Sequence, residues 1–317
     1  ALSNCCRLIS DTTQLDPFIN SIGGTALSVG SVKVSTMNLE AIALEHPDNQ
    51  EEFLERLKYI QDINMKALDV VRHIIQRNIE KGLLPNFVDG GMEMDKMFCT
   101  VGFLGLYEVM EIYGYINTDE FGNKSYSDDG IIFASKIFDA MNHNKEEFVK
   151  DKDYKINLES VPGESAAVKL AAKDRLVFGE EKTHEILSNQ WIPLTAKCTI
   201  KEKVRLSSLF DKKCGGGVIS HINIESEFPT EESAWKMLNY LAKNKVIYFA
   251  FNSKINECEN HHGFVGSSTC PECGGKIIDT YQRIVGYLVP SRNYSSARKK
   301  EFNKRQWYEI GQLSDNL

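Results

Sequence analysis

The sequence predicts an α/β fold, in which parallel strands alternate with helices, followed by a small metal-binding region near the C-terminal end. Two observations carry the fold class. Segments rich in β-branched residues alternate with segments whose apolar residues recur at helical spacing, and no repeat or low-complexity tract interrupts them. A third observation, cysteines grouped near the end of the chain, predicts the metal-binding region. Strands that alternate with helices usually form a parallel sheet covered by those helices.

The composition is that of a globular protein with room for a large core. The chain has 317 residues, of which 42% are hydrophobic and 26% charged, and its formal net charge is −7. This acidic balance argues against a general affinity for nucleic acid or anionic membranes, and no apolar run approaches the ~20 residues of a membrane span. The 8 cysteines, some at metal-binding spacing, favour a reducing compartment over a disulfide scaffold. We therefore expect a cytoplasmic protein with no membrane and no nucleic-acid partner.

A strand and a long helix open the predicted order of elements. Residues 31–39 alternate in polarity and are rich in β-branched side chains, which predicts a strand. Apolar residues then recur at helical spacing over about 49–81. Asp48 is the predicted N-cap of this helix, and Gly82 is the predicted stop. The later elements are a helix over about 130–150, a strand over 155–160, a helix from about 161, a strand after the glycine turn at 214–217, a helix over 230–243 and a strand over 246–251.

The turn before the helix near residue 161 is a candidate anion site. A Pro-Gly turn with a serine at the helix start leaves the first N–H groups of the helix without partners inside it, and such groups bind phosphate readily. Ordinary helix capping is the alternative interpretation. The candidate substrate-binding residues are Gly163, Glu164, Ser165 and Ala166.

The cysteines near the C-terminal end have the spacing of a zinc knuckle. Cys270 and Cys273 form a Cys-Pro-x-Cys-Gly pair, in which two thiolates converge on one ion. Cys258 and His261 offer a second pair at the same spacing, with His262 as the alternative fourth ligand. Four protein ligands close the coordination sphere, so the predicted zinc is structural and not catalytic.

The segment after the knuckle, Arg283-Ile284-Val285-Gly286-Tyr287, resembles the radical-bearing loop of the anaerobic (class III) ribonucleotide reductases. The resemblance implies that Gly286 is oxidised to a stable backbone radical. The chemistry requires a glycine, because its alpha carbon can flatten and share the unpaired electron with the neighbouring amide groups, whereas any Cβ would crowd that planar centre.

The first residues of the chain resemble the finger loop of the same family, which carries the cysteine that becomes a thiyl radical. In the segment Asn4-Cys5-Cys6-Arg7-Leu8 the register selects Cys6, because Asn4 lies two residues before it and Arg7 follows. Cys5 would be a neighbour and a reductant partner. The alternative is that both cysteines are buried and behave as small hydrophobic residues. Since the chain begins at Ala1 with no initiator methionine, we expect a fragment, a processed chain or one half of a split protein.

Four internal segments extend the resemblance. Residues 37–43 are similar to the family's Asn-Leu-Pro-Arg-Ile-Ala segment, with Glu40 in place of the proline; Asn38 would face the active site or be a satisfied turn asparagine. Residues 98–108 are similar to a Thr-x-Gly-x-x-Gly-x-x-Glu helix whose glycines permit close packing. The turn at 163–166 is similar to the loop that holds substrate phosphates, and 189–194 are expected to line the mouth of a barrel.

The resemblance implies the fold in more detail. Residues 1–253 would form the C-terminal half of a ten-stranded α/β barrel of the glycyl-radical and ribonucleotide-reductase type, with the finger loop at its N-terminus. Residues 254–317 would carry the zinc knuckle, or zinc ribbon, the glycyl-radical loop and a basic tail. The tail would either dock on an acidic surface or be solvated, with solvation the preferred interpretation.

The implied activity is the oxygen-sensitive reduction of ribonucleoside triphosphates to deoxyribonucleoside triphosphates. A separate activase with an iron–sulfur cluster and S-adenosylmethionine would generate the Gly286 radical. The other implied partners are the missing N-terminal half, a thioredoxin-like reductant or formate, and a second copy in a homodimer of the complete enzyme. Two alternatives are a glycyl-radical lyase, which the zinc knuckle argues against, and a zinc-ribbon binding module without catalysis, which the acidic composition and the large α/β body oppose.

Overall fold

The computed structural model describes residues 30–283 and 288–310. The predictions for Asn4, Cys5, Cys6 and Gly286 fall outside these residues and stay predictions. The helices are α1 (Leu39–Glu45), α2 (Gln50–Glu80), α3 (Pro85–Val88), α4 (Leu106–Ile112), α5 (Asp128–Val149), α6 (Glu164–Phe178), α7 (Ile200–Phe210), α8 (Glu231–Lys243) and α9 (Ser296–Lys304). The strands are β1 (Gly30–Asn38), β2 (Met97–Leu104), β3 (Ile116–Thr118), β4 (Lys124–Tyr126), β5 (Ile156–Ser160), β6 (Ser220–Asn223), β7 (Phe249–Asn252), β8 (Ile255–Cys258), β9 (Gly263–Val265), β10 (Ile277–Arg283) and β11 (Leu288–Pro290).

A parallel sheet in the order β1-β2-β5 forms the centre of the larger part of the molecule. Asn38 of β1 lies opposite Leu104 of β2, and Phe103 of β2 lies opposite Ser160 of β5, so the carboxyl ends of the three strands lie side by side. Strands β6 and β7 form a second parallel pair, and a parallel bridge between Glu159 and Gly217 connects the two sets. The α/β class is therefore confirmed. The ten-stranded barrel and the domain boundary at 253 stay predictions.

The main hydrophobic core lies between the central sheet and the helices α2, α5 and α7. Phe53, Phe103, Phe138 and Phe210 are at most 1% exposed. The ring of Phe138 packs edge-on against Phe103, with centroids 5.7 Å apart, and lies 5.4 Å from Phe210. Fully burying one such side chain contributes roughly 1.5–3 kcal/mol, so this aromatic cluster is a major source of stability.

The long predicted helix exists as α2, but its N-cap differs from the prediction. The side chain of Asn49, not that of Asp48, accepts hydrogen bonds from the N–H groups of Glu51 at 3.1 Å and Glu52 at 3.2 Å. Both residues are good caps, and the position is decided by which one takes an extended backbone directly before the helix. The helix ends as predicted, since Gly82 has a φ of +70°.

The segment 98–108, which the resemblance predicts to be a helix, is a strand and then a helix. Residues Met97–Leu104 form β2, the middle strand of the parallel sheet, and α4 starts only at Leu106. A strand buried on both faces is apolar throughout, so its sequence lacks the alternation that would have distinguished it from a buried helix. The predicted close packing at glycine is confirmed, because a Cβ on Gly102 would lie 2.4 Å from Cγ1 of Val161.

The C-terminal part contains an antiparallel sheet in the order β11-β10-β8-β9, followed by α9. The preference for a wholly solvated basic tail is wrong for two residues. Arg298 and Arg305 are 8% and 4% exposed, and both form ion pairs with Glu301. Arg292 and the lysines of α9 are exposed. Among the described residues, none of the helices has the length and apolarity needed to cross a membrane.

Candidate functional site

A cluster of three cysteines and one histidine lies at one end of the antiparallel sheet. Cys258 ends β8, and His262, Cys270 and Cys273 lie in the loops that flank β9. The ligand atoms of these four residues all lie within 4.8 Å of one another. The sulfurs of Cys258 and Cys273 are 3.8 Å apart, and the Cys270 sulfur is 3.5 Å from Nδ1 of His262. Since Zn–S bonds of about 2.3 Å in a tetrahedron place sulfurs about 3.8 Å apart, the cluster fits a zinc ion.

The fourth residue of this cluster is His262 and not His261, which corrects the preferred prediction. The backbone of His261 is left-handed, with a φ of +61°, and its N–H donates to the Cys258 carbonyl at 2.8 Å. Its side chain is 76% exposed and contacts Oε1 of Glu257 at 2.6 Å. The Cys-x-x-His spacing therefore closes the turn with His261 pointing away and brings the next residue to the cysteines.

The protein environment favours a thiolate at one of the cysteines. The Asn260 side chain donates to the Cys273 sulfur at 3.2 Å, and with the N–H of Gly275 this lowers the pKa of Cys273 to about 6. Burial raises the pKa of Cys270. A metal ion binds the thiolate form, so the amide donors around Cys273 prepare the site for a cation.

The predicted phosphate turn lies at the carboxyl end of β5 and opens α6. Gly163 has a φ of +60°, and a Cβ on it would lie 2.6 Å from Cδ1 of Leu104, so both conformation and packing require glycine. Glu164 and Ser165 are exposed and Ala166 is half-buried at the first turn of the helix. The carbonyl of Glu164 accepts a hydrogen bond from Arg298 of α9 at 3.0 Å. The turn therefore has a buried cation beside it.

A cavity of about 330 Å³ opens between Pro162, which directly precedes this turn, the segment 183–195 and α9. Three side chains that line it carry buried nitrogens with no hydrogen-bond partner among the described residues: Nδ2 of Asn189, Nε2 of His221 and Nε of Arg298. A buried donor without a partner costs about 1–3 kcal/mol, so three on residues that line one cavity fit a ligand or ordered water that supplies acceptors.

His221 is held in a neutral form with a defined tautomer. Burial, together with the positive charges of Arg305 and Lys203, lowers its pKa to about 3. Its Nδ1 lies 2.8 Å from Nδ2 of Asn252, an amide donor, so the ring proton is assigned to Nε2. Gln190 fixes the backbone beside it, accepting from the N–H of His221 at 2.9 Å. The ring therefore keeps one N–H, on Nε2, that has no partner among the described residues.

The residues on both sides of the segment that carries Gly286 are firmly placed. Arg283, the last residue of β10, pairs with Leu288 of β11. Arg305 donates to the carbonyl of Arg283 at 2.8 Å and to Oε1 of Gln282 at 3.0 Å. Gln282 is 0% exposed, and its carbonyl accepts from Tyr294 at 2.9 Å. Arg305, the buried residue that directly follows α9, thus fixes the point at which the chain leaves β10.

Asn38 forms the hydrogen bonds expected of a satisfied turn asparagine, the second of its two predicted roles. Its Oδ1 accepts from the N–H of Ala41 at 3.2 Å and caps α1, while its Nδ2 donates to Oδ2 of Asp174 at 2.6 Å. Burial raises the pKa of Asp174 to about 6. Asn38 does lie at the carboxyl end of β1, where the candidate site was expected.

A largely buried polar network lies next to Asn38, and it was not predicted from the sequence. Its members are Glu40, Glu108, Glu111 and His184, of which the first two are 0% and 1% exposed. Burial raises the pKa of Glu108 to about 8. One signal was present, since Glu40 stands where the resembled segment has proline. The partner of Glu40 is 144 residues away, so no local pattern could have identified it.

The chain matches the family model described as anaerobic ribonucleoside-triphosphate reductase over residues 1–308. A solved structure titled "Anaerobic ribonucleotide reductase" has 41% identity and a TM-score of 0.86, and the match covers 92% of this chain and 47% of that one. The reductase from Thermotoga maritima with glycerol in the active site has 40% identity and a TM-score of 0.81, with 89% and 45% covered. The structure of the same Thermotoga maritima protein in complex with dATP and CTP has 40% identity and a TM-score of 0.80, and the match covers 90% of this chain and 46% of that one.

The chain thus spans about half the length of these solved structures. No curated protein matches it.

Proposed function

The chain belongs to the anaerobic ribonucleoside-triphosphate reductase family, and from this premise we propose that it supplies the radical-bearing half of a catalytic subunit that reduces ribonucleoside triphosphates. The observation that carries the proposal is the cavity with three unpartnered buried donors beside the phosphate-type turn. A ribonucleotide supplies acceptors of the required kinds, namely ribose hydroxyls and phosphate oxygens. The related Thermotoga maritima enzyme has been solved with dATP and CTP bound, and with glycerol in its active site.

In the proposed chemistry Gly286 holds the stable radical and Cys6 is the radical relay. The alpha carbon of Gly286 takes the hydrogen atom of the Cys6 thiol. The Cys6 thiyl then takes the 3′ hydrogen of the ribose, and the 2′-hydroxyl takes up one proton and leaves as water. The reductant supplies two electrons which, with a second proton, provide the hydrogen that replaces the hydroxyl at C2′. The Cys6 thiol then returns its hydrogen atom to C3′, and the thiyl is formed again. Formate or a thioredoxin-like protein is the proposed reductant. Asn4 and Cys5 flank the relay, and Asn38 supports the site from the end of β1.

The turn Gly163, Glu164, Ser165 and Ala166 is the proposed site for the substrate phosphates. Two observations support it: Glu164 and Ser165 at the start of α6 are exposed, and Arg298 donates a hydrogen bond to the Glu164 carbonyl. His221 and Asn189 then offer donors to the less charged part of the nucleotide. Their neutral N–H groups suit hydroxyl and carbonyl oxygens.

Zinc is the proposed metal at Cys258, His262, Cys270 and Cys273, and its role is structural. Four protein ligands leave no open coordination position, so the ion would hold β8 and the loops around β9 together without taking part in the reaction. The remaining partners are proposed from the family. They are an activase that brings S-adenosylmethionine and an iron–sulfur cluster, the other half of the catalytic subunit, and a second copy in a cytoplasmic homodimer.

Product analysis tests the proposal and separates it from the rival reaction. The full enzyme, activated without oxygen and supplied with a radiolabelled ribonucleoside triphosphate and formate or a thioredoxin system, should release the deoxyribonucleoside triphosphate. Cys6→Ser should abolish the product and still allow the radical to form, whereas Cys5→Ser should still permit abstraction of the 3′ hydrogen. A product formed by carbon–carbon cleavage would identify a lyase, and full activity in Cys6→Ser would reject the assigned register.

A further inference from the structure

The histidine at the start of the cavity wall has no role in the chemistry proposed above. Nδ1 of His184 lies 2.5 Å from Oε1 of Glu40, and its Nε2 lies 2.9 Å from Oε2 of Glu111. Its backbone N–H donates to the same Glu40 oxygen at 3.1 Å, and its carbonyl accepts from Arg175 at 3.0 Å. Glu40 belongs to α1, Glu111 to α4 and Arg175 to α6. One residue therefore connects three helices to the segment 183–190, here called the cavity segment.

We propose that His184 is a positioning residue, whose ring donates one hydrogen bond to Glu40 and one to Glu111 and thereby fixes the cavity segment in its substrate-binding position. The identity of the ligand in this inference rests on the proposed function, but the geometry does not. His184 lines the cavity, as do Ser188, Asn189 and Gln190 later in the same segment.

The two contacts require a doubly protonated ring. Ionised carboxylates only accept hydrogen bonds, so both ring nitrogens must carry hydrogen to satisfy Glu40 and Glu111 together. Burial alone would lower the pKa of His184, but the hydrogen bonds to Glu111 and Glu40 and the charge of Glu108 raise it to about 10. The ionisable groups around the ring are Glu40, Tyr107, Glu108 and Glu111 from α1 and α4, Asp174 and Arg175 from α6, and Glu185, Arg298, Glu301 and Lys304 on the cavity side.

The other end of the cavity segment is held by the central sheet. Ser188 donates its N–H to Oε1 of Glu108 at 2.7 Å and accepts from the N–H of Gly105 at 2.9 Å. The carbonyl of Asn189 accepts from Ser160 at 2.9 Å. Without His184 the segment would keep these anchors at residues 188–189 and lose the ring contacts at its start. Loss of the ring contacts would therefore let the cavity segment, with the Asn189 side chain, occupy a wider range of positions, but Asn189 would still line the cavity.

The interaction depends on a residue that departs from the resembled sequence pattern. Glu40 stands where the Asn-Leu-Pro-Arg segment has proline, and proline has no carboxylate to receive a ring N–H. Glu40 is 0% exposed, so its charge would be costly to bury without a cationic partner. The imidazolium of His184 is that partner.

The experiment compares His184→Gln, Glu40→Gln and the double variant with the control His73→Gln, whose side chain is 75% exposed on α2. In the unsubstituted chain labelled at histidine, the resonance that disappears in His184→Gln should show a protonated ring at pH 8. A midpoint near the ordinary value of about 6.5 would overturn the proposal. Glu40→Gln keeps an oxygen that can accept the ring N–H, so this variant replaces His184→Gln in the comparison if His184→Gln does not fold.

The second readout is kinetic. In both single variants the KM for the ribonucleotide should rise about tenfold or more, because the charge-assisted hydrogen bond between residues 184 and 40 is removed or becomes a neutral one, while kcat and the yield of the Gly286 radical stay within about twofold. The double variant should be no worse than either single one. Equal losses in kcat, or additive losses in the double variant, would overturn the proposal.

A third readout does not depend on activity. Amide hydrogen exchange at residues 183–187 should be about tenfold faster in His184→Gln and Glu40→Gln and unchanged in His73→Gln. An enzyme with no reductase activity would reject the proposed function, but the ring titration and the exchange rates would still decide the role of His184. Unchanged exchange in both site variants would reject that role.

Discussion

The α/β body and the small antiparallel sheet are stabilised in different ways. The body buries a continuous cluster of large side chains, among them Phe53, Phe103 and Phe138. The buried cluster of the small sheet consists of Cys258, Phe264 and Cys270, with Ile277 packed against it. Burial of one phenylalanine contributes roughly 1.5–3 kcal/mol, whereas a structural zinc contributes about 10–16 kcal/mol in isolated zinc-finger peptides. With zinc bound as proposed, the small sheet would depend on its metal ligands, while the body depends on packing.

This difference has a functional consequence. Gly286 lies in the sequence between β10 and β11 of the small sheet, whereas the cavity is lined by residues of the body and of α9, the helix that follows that sheet. A region held by a metal ion can keep a fixed shape with little hydrophobic surface. Loss of the proposed zinc should therefore affect the segment with Gly286 more than the part of the cavity that the body lines.

The largest expected effect is on the small sheet alone. Cys270→Ser or His262→Asn should lose the bound zinc and unfold β8–β10, because metal binding supplies the folding energy of that region. The control is His261→Asn, which removes an exposed ring and keeps all four ligands. Metal analysis, with amide exchange of the two regions, makes the comparison. A full equivalent of tightly bound zinc in Cys270→Ser, or equal zinc loss in both histidine variants, would contradict the assignment.

The second effect should be confined to the body. Phe138→Ala removes a 0% exposed ring that contacts Phe103 and Phe210, and we expect it to lower the free energy of unfolding of the body by about 3–5 kcal/mol. Denaturant titration followed by tryptophan fluorescence measures this change, since Trp191 packs on the same cluster. The zinc content should not change. A loss of zinc parallel to the loss of stability would show that the two regions fold as one unit.

The third effect is a pH dependence of the body. The pKa of Glu108 is raised by burial to about 8, so between pH 4.5 and 8 the folded state binds more protons than the unfolded state. The free energy of unfolding must therefore fall as pH rises through this window. Glu108→Gln should flatten the dependence and gain about 2–4 kcal/mol at pH 8 relative to pH 5. The exposed control Glu120→Gln should keep the slope. An unchanged slope in Glu108→Gln would show that this carboxyl is ionised in the folded state.

The two regions also differ in what their sequences reveal. The metal cluster is local: Cys270 and Cys273 are three residues apart, so spacing alone identified the knuckle, and only the choice between His261 and His262 required the backbone turn. Helix α2 was predicted from the periodicity of its apolar residues and its glycine stop, which are also local signals, and α5 and α8 were predicted close to their observed bounds. The polar network of the body was not predicted, because Glu40 and His184 are separated by 144 residues and meet only through the sheet. Strand β2 was mistaken for a helix because a doubly buried strand has no alternation.

The central claim is that the small sheet carries a glycine radical for the reaction at the body's cavity. The most direct measurement is electron paramagnetic resonance of the complete enzyme after reductive activation by its activase without oxygen. We expect a glycine-type doublet, loss of the doublet in Gly286→Ala because a Cβ crowds the planar centre, and chain cleavage at Gly286 on exposure to air. A doublet that persists in Gly286→Ala would place the radical on another residue and reject Gly286 as the radical site.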